Sequence, residues 1–296
     1  MKEIILRFGL ILGKRFTDNQ KKRFLDEVQS DFNNQNLQNH IYTVKQGYHR
    51  SNHLLVGDVE KAKTIIVAYY DTPSIALPLF DYEPLSIKAK LKTERKILIL
   101  NTFLTLLTLY MTSGVLLAVL SIEQVWIRII ALIVTLLFIA IELKSFEGFA
   151  NKINYNRNSA AIAVMISLAE YTKQNRFAMI FVDRACSSLK GYEQVINMEM
   201  INKKARFIIL DSIAFGEDLY IAGEKHRDNI DVDHKYIETN SSCWISMFND
   251  PMLIFCGESH EERFVVKNTR CFNDFKIDMD RLEKIRRNLV KIIERD

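Results

Sequence analysis

Two aspartates stand where apolar runs stop. Asp71 closes the run in TIIVAYYDTPS (Thr64–Ser74), and Asp211 closes the run in ARFIILDSIA (Ala205–Ala214). A carboxylate delivered at the end of a buried strand sits where ligands gather in open α/β sheets, and it can hold a cation or take a proton there. Cys186, in VDRACSSLKGYE, is a candidate nucleophile, but a catalytic thiol needs a neighbouring base. None of the six histidines (His40, His49, His53, His226, His234, His260) is spaced to Cys186 in a recognisable motif. A cysteine just after a strand therefore reads first as a small apolar residue. HRDNIDVDHKY (His226–Tyr236) lacks the glycine and the terminal glutamate of a calcium loop and reads as a solvated loop. CGESHEERF (Cys256–Phe264) is not Gly-x-Ser-x-Gly and reads as a polar turn.

The elements that would position these residues alternate along the chain. Asn19–Phe32 has helical spacing at Phe24, Leu25, Val28 and Phe32, and strand-like runs follow at Ile41–Val44 and His53–Val56. Thr64–Tyr70 is apolar on both faces, as a central strand of a covered sheet requires. Asn158–Thr172 reads as a helix, Arg176–Asp183 as a strand and Leu189–Ile201 as a helix. Further strands are expected to end at Asp211 and to cover Asp218–Glu224, Pro251–Glu258 and Arg263–Asn268, with a short helix at Cys243–Asn249. Asp278–Arg295 is an amphipathic helix with Leu282, Ile285, Leu289 and Ile292 on one face. The pattern specifies an α/β protein with a mostly parallel mixed sheet covered by helices.

A second kind of sequence interrupts it. Ile97–Ile122 carries no charge, and Val125–Ile141 carries only Arg128, so each is long enough to cross a bilayer. The expected organisation is a transmembrane hairpin within 93–146 (spans at about 97–120 and 125–143), dividing one domain into 1–92 and 147–296; a buried or dimer-forming helical pair is the alternative. Lys88, Lys90, Lys92, Arg95 and Lys96 precede the hairpin and Lys144 and Lys152 follow it, while the connection holds Glu123. Positive flanks stay inside, so both termini and the folded domain are expected on the cytoplasmic side of the cell membrane. With Glu94, the run Lys88–Lys96 nets the same charge as the whole chain, +4. It reads as an anchor beside the bilayer, and no nucleic-acid patch remains. Trp126 fits an interfacial anchor and Trp244 a core residue. Asn101, Thr102, Thr105, Thr108, Thr112, Ser113 and Gly114 suit close helix packing, against the second span or another membrane protein. The four cysteines form no CxxC and are expected as free thiols in a reducing compartment. Arg7 interrupts the apolar N-terminus, which reads as an amphipathic segment on the membrane or the domain.

The motifs YYDTP, RNSAAIAVMISLAE, VDRACSSLKGYE, FIILDSIAFGEDL and KNTRCFNDFKIDMDRLEKI follow one another in an order that resembles the zinc-dependent aminopeptidase superfamily, which includes bacterial leucyl aminopeptidases and glutamate carboxypeptidase-like enzymes. The resemblance runs from about Thr64 onwards, apart from the hairpin. It implies that Tyr69 stands where a ligand histidine would, Arg157 where a metal-bridging aspartate would, and Asn268 where the last ligand histidine would. Ala185 and Cys186 replace the catalytic base and a ligand glutamate, while Asp71, Asp211, Leu189 and Gly191 are retained. A two-zinc hydrolase needs anionic or imidazole ligands and a carboxylate base, and a permanent guanidinium repels a divalent ion. Zinc is therefore expected to be lost, with Arg157 pairing to Asp71 or Asp211 in its place, and no other cofactor is implied. Because the hairpin is inserted at the edge that carries the site, the degenerate cleft is expected to face the headgroups. The functional expectation is a membrane-anchored, inactive metallopeptidase-like protein that binds a peptide or a membrane partner such as a transporter subunit. The alternatives are an active peptidase with a rearranged site and an assembly or immunity-type protein with no cleft ligand.

Overall fold

The computed structural model describes residues 1–295 except 48, 76–80, 122, 147–148, 175–176, 225–229, 231, 262 and 272. Ile122, Arg176, His226 and Glu262, each part of a sequence feature named above, lie outside the described residues. The chain forms two compact units: Met1–Leu91 with Ala150–Asp296, and Lys92–Phe149.

Helix α1 (Lys2–Leu6) continues into a wider π turn, Arg7–Ile11. Helix α2 (Asp18–Asn34) opens with a reciprocal capping box between Thr17 and Gln20, which satisfies two otherwise orphaned amides. Strands β1 (Asn39–Gln46) and β2 (His49–Val56) form a hairpin, and β3 (Thr64–Tyr69) follows. Helices α3 (Ile87–Leu120) and α4 (Val125–Phe146) precede a second π turn, Tyr155–Ser159, that leads into α5 (Ala160–Ser167). Then come β4 (Phe177–Val182), α6 (Lys190–Ile196), β5 (Arg206–Leu210), β6 (Asp218–Gly223), β7 (Lys235–Glu238), β8 (Met252–His260), β9 (Arg263–Val265) and α7 (Met279–Arg295).

The strands make one mixed sheet in the order β1-β2-β4-β3-β5-β8-β6-β7, with β9 on β8. Its centre, β4-β3-β5-β8, is parallel. Every residue of β3 and β4 is buried, so both faces are covered and the run carries no polar alternation. Helix α5 is apolar all round because it is buried all round. Parallel pairing of Tyr69 with Val182 and of Val67 with Ile209 brings Asp71, Asp183 and Asp211 to the same carboxyl edge. An antiparallel bridge joins Ser74 to Ala150 at that edge, on either side of the segment that contains α3 and α4.

Several sequence expectations change here. Asn158–Thr172 does not stay α-helical: after Leu168 it tightens into a 3-10 turn, with Tyr171 donating to Leu168 O. Lys235 and Tyr236 belong to β7 rather than to a loop, and Cys256–His260 to β8, because β6 and β9 supply ladder partners. Ile293 rather than Ile292 completes the buried face of α7. The N-terminal segment packs on the domain through Ile5, Phe8 and Leu12, and Arg7 pairs with Glu27 and Asp31. Trp244 is buried against Tyr192 and donates to Pro84 O at 2.8 Å.

The other unit is built on the opposite plan. Both helices are long and apolar enough to cross a membrane, and only 6% of each apolar window is buried. Thr102, Thr108 and Thr112 donate to carbonyls of their own helix, so no outside partner is needed to satisfy them. Thr112 also reaches Glu142 on α4 at 2.8 Å.

Candidate functional site

Asp211 follows β5 directly and is 2% exposed. Its Oδ1 accepts from the Tyr69 hydroxyl at 2.8 Å and from Ser212 Oγ at 2.9 Å, and its Oδ2 accepts from the Tyr82 hydroxyl. Burial pushes both phenols well above their usual value, Asp211 reinforcing it and Arg157 opposing it, so they stay protonated donors. Tyr82 reaches the site through a bridge to Val266.

Arg157 lies in the π turn before α5 and is fully buried. Asp274 holds that turn by accepting from the amides of Asn156 and Arg157 at 2.9 and 3.2 Å. The guanidinium carbon stands 3.2 Å from the Tyr82 ring centroid and 5.4 Å from that of Tyr69, a cation–π sandwich. Nη2 donates to Cys186 O at 3.0 Å, while Nε and Nη1 have no hydrogen-bond partner among the described residues. The expected ion pair from Arg157 to Asp71 or Asp211 is not formed; among the described residues no such pair exists. The tyrosines stand between, and Arg157 meets Asp211 through their rings. Lys90, read from sequence as part of a membrane anchor, is instead buried here, donating to Ala185 O at 2.6 Å and lying 5.9 Å from the Tyr69 ring centroid.

Asp71 forms a separate centre. It accepts from the amides of Ala185 and Cys186 at 3.1 Å. Burial raises its pKa, Lys21 opposing and Asp183 adding to the rise. Lys21 pairs with Asp183 at 2.7 Å, and the Asp183 amide donates to His53 Nδ1, which leaves Nε2 to donate to Gln194 Oε1 at 3.0 Å. Arg15 is fully buried beside them and spends its donors on the carbonyls of Phe8, Leu12 and Tyr70, on Asn158 Oδ1 and on Ser159 Oγ. Gly191 shows why that position in the motif has no side chain: a Cβ would lie 1.9 Å from Asp183 O.

The structure therefore brings Tyr69, Arg157, Cys186 and Asp211 into one cluster, with Ala185 and Cys186 bridging to Asp71. Asn268 is apart, in a cleft of about 120 Å³ with Asn156, Glu258, Asp274 and Lys276. Arg270, two residues further on, is buried instead, its pKa lowered to about 10 by burial against the pull of Tyr69 and Tyr82. Arg184, Ser212 and Asn268 all adopt left-handed backbone (φ 56°, 54° and 61°); Asn268 is itself a position singled out from sequence, and Arg184 and Ser212 adjoin Ala185 and Asp211. Sequence reasoning missed Tyr82, Lys90, Ser212 and Arg270. Tyr82 lies in a stretch with no motif, and Lys90 is hidden within a basic run.

The chemistry open to this cluster is narrow. Burial pushes the Cys186 thiol up to about 11 although Arg157 opposes it, so it is no thiolate at neutral pH. Zinc requires several anionic or imidazole donors. Among the described residues no three His, Cys, Asp or Glu side chains converge, and both oxygens of Asp211 already take hydroxyl protons beside a guanidinium. These side chains do not fit a zinc centre.

No protein-family model matches the sequence, and no curated protein does. Solved structures do. Glutaminyl cyclase from Porphyromonas gingivalis superposes with a TM-score of 0.59 at 9% identity, over 99% of this chain and 95% of that one. A Zn-dependent exopeptidase from Parabacteroides distasonis gives 0.56 at 8% identity, over 99% and 94%. The LapA aminopeptidase of Legionella pneumophila gives 0.51 at 10% identity, over 99% and 68%. The likeness concerns the fold: this chain has the aminopeptidase-like α/β architecture.

Proposed function

We propose that this chain is a membrane-anchored, non-catalytic peptidase-like protein that acts by binding a peptide or a membrane-protein partner such as a transporter subunit. The single observation that carries the reading is the engagement of Asp211 by Tyr69 and Tyr82 under Arg157. A carboxylate that would hold a metal is there turned into an acceptor for two phenols, and the neighbouring cations disfavour a divalent ion. Asp71 likewise serves the backbone amides of residues 185 and 186, and the buried thiol and phenols offer no base near neutral pH. The two helices long and apolar enough to cross a membrane support the anchor, and the excess of basic residues on their flanks favours a cytoplasmic folded unit by the positive-inside rule.

The test is elemental analysis of the purified protein, followed by peptide-library hydrolysis and glutaminyl-cyclase assays with and without added zinc. The proposal expects less than a tenth of an equivalent of zinc and no turnover that Asp71→Ala or Asp211→Ala abolishes. About two equivalents of zinc, or turnover lost in those variants, would sink it. Copurification from native membranes then identifies the bound partner, and a chain that retains none returns the reading to an assembly role without a cleft ligand.

A further inference from the structure

The folded unit hides its apolar surface well, with one exception. Among its described residues, the large apolar side chains left exposed are Leu6, Leu10, Ile11, Leu91, Phe215 and Phe275. Isolated exposed apolar residues are ordinary on any protein. These are not scattered, because a chain of contacts links the segments that carry them. The Gly13 carbonyl accepts from Asn154, and the backbone there is so close to Lys152 that a Cβ at Gly13 would lie 2.4 Å from Lys152 O. The Tyr155 amide donates to Asp274 O at 3.0 Å, next to Phe275. Asn156 donates to Phe215 O at 2.9 Å, and the Lys276 ammonium lies 5.0 Å from the Phe215 ring centroid. Thr72, at the end of β3, exchanges hydrogen bonds with Arg15. All of these segments meet at the carboxyl edge of the sheet. Leu91 follows Lys90, which enters the site at that same edge.

Exposed lysines are interleaved with the apolar residues: Lys14 after Ile11, Lys152 beside Gly13 and Lys276 after Phe275. Apolar side chains that can enter the acyl boundary, flanked by ammonium groups that stay among headgroups, are the composition of an interfacial lipid surface. The short N-terminal segment has this character in itself: Ile5, Phe8 and Leu12 face the core, and Leu6, Leu10 and Ile11 face out. Chain continuity adds a second argument. The folded unit gives up the chain at Leu91 and takes it back at Ala150, and Ala150 is bridged to Ser74 at this edge.

We infer that the carboxyl edge of the folded unit is a lipid-contact surface, in which Leu10, Ile11, Phe215 and Phe275 enter the interface of an anionic bilayer and Lys14, Lys152 and Lys276 meet its headgroups. This rests on the membrane reading above and adds to it: the edge bearing the altered site meets the bilayer through its own side chains. A ligand reaching that edge would come along the membrane surface.

The test uses the full-length protein in a Cys243→Ser background, the other three thiols being buried. It is reconstituted into bilayers of phosphatidylcholine with or without phosphatidylglycerol. Nitroxides are placed singly through Ile11→Cys, Phe215→Cys and Phe275→Cys, with Lys61→Cys, in the exposed turn before β3, as the water reference and Leu106→Cys on α3 as the bilayer reference. Power saturation reads contact with oxygen against contact with a water-soluble nickel chelate. The expected result is an oxygen-to-nickel ratio several-fold higher at the three rim positions than at Lys61. That ratio should be larger with phosphatidylglycerol and reduced by combined Lys14→Glu, Lys152→Glu and Lys276→Glu. Rim ratios equal to that at Lys61, with Leu106 immersed, would overturn the lipid surface alone. Leu106 open to nickel would remove the membrane reading and the surface with it. Rim labels shielded in native membranes but open in pure lipid would assign the edge to a protein partner and overturn the lipid contact.

Discussion

The folded unit and the helical hairpin handle polar groups in opposite ways. In the folded unit Arg15 and Arg157 are fully buried and Asp211 nearly so, each served by residues far away in sequence. Arg15 draws on Asn158 and Ser159, and Asp211 on Tyr69 and Tyr82. In the hairpin the threonine hydroxyls bond carbonyls three or four residues back, and the apolar side chains face outward. Local satisfaction makes a helix pair independent of its surroundings. Long-range satisfaction makes a domain cooperative, since each buried charge stays affordable only while distant segments remain in place.

The sharpest way to break this contrast is Asp211→Ala. It strands the Tyr82 hydroxyl, leaves Tyr69 only the Arg157 carbonyl at 3.1 Å and takes the nearby carboxylate from a buried guanidinium. We expect a loss of about 3–5 kcal/mol from the folded unit, read by denaturant unfolding of detergent-solubilised protein. A loss below about 1 kcal/mol would mean that the cluster is not cooperative. Tyr82→Phe keeps the ring under Arg157 and removes only the hydroxyl to Asp211. It should cost about 1–3 kcal/mol in the same assay, and a neutral result would show that the ring contact alone suffices.

The pH response is a subtler probe. Burial holds the folded-state pKa of Asp274 well above 3.8, against two amides and Arg157. The folded protein therefore keeps a proton that the unfolded chain releases. Stability from this group is fully present below pH 3.8 and is lost as pH rises towards the folded value. Asp274→Asn should remove that loss, so the variant gains on the wild type with rising pH, by at most about 1.4 kcal/mol per pH unit. Parallel Tm curves for the two proteins would refute it. The smallest effect belongs to the hairpin. Thr112→Val removes the bond to Glu142 and should cost about 0.6 kcal/mol, seen as a slight rise in helix-pair dissociation with no change in the folded unit.

How much of this was legible beforehand follows the same divide. The apolar runs of β3 and β4 announce buried parallel strands because burial on both faces leaves no polar alternation, and α3 and α4 announce themselves by length. Asp71 and Asp211 are readable because a strand end fixes where they lie. The partners of those charges are not readable, because nothing local marks Tyr82 or Lys90 as site residues. Only the bridge from Tyr82 to Val266 and the inward turn of Lys90 at the start of α3 bring them in. Arg157 was legible as a misplaced cation. Its resting place on a tyrosine ring rather than a carboxylate depends on packing that no spacing encodes.

The bridge between Ser74 and Ala150 has one more consequence. Closing a loop costs entropy that grows only with the logarithm of its length, about 0.6 kcal/mol for each doubling. Once those two residues are paired, the sheet is nearly indifferent to how much chain lies between them. An insertion can lengthen, shorten or be exchanged there without retuning the core, so this edge is a socket at which the architecture can acquire or change an inserted segment.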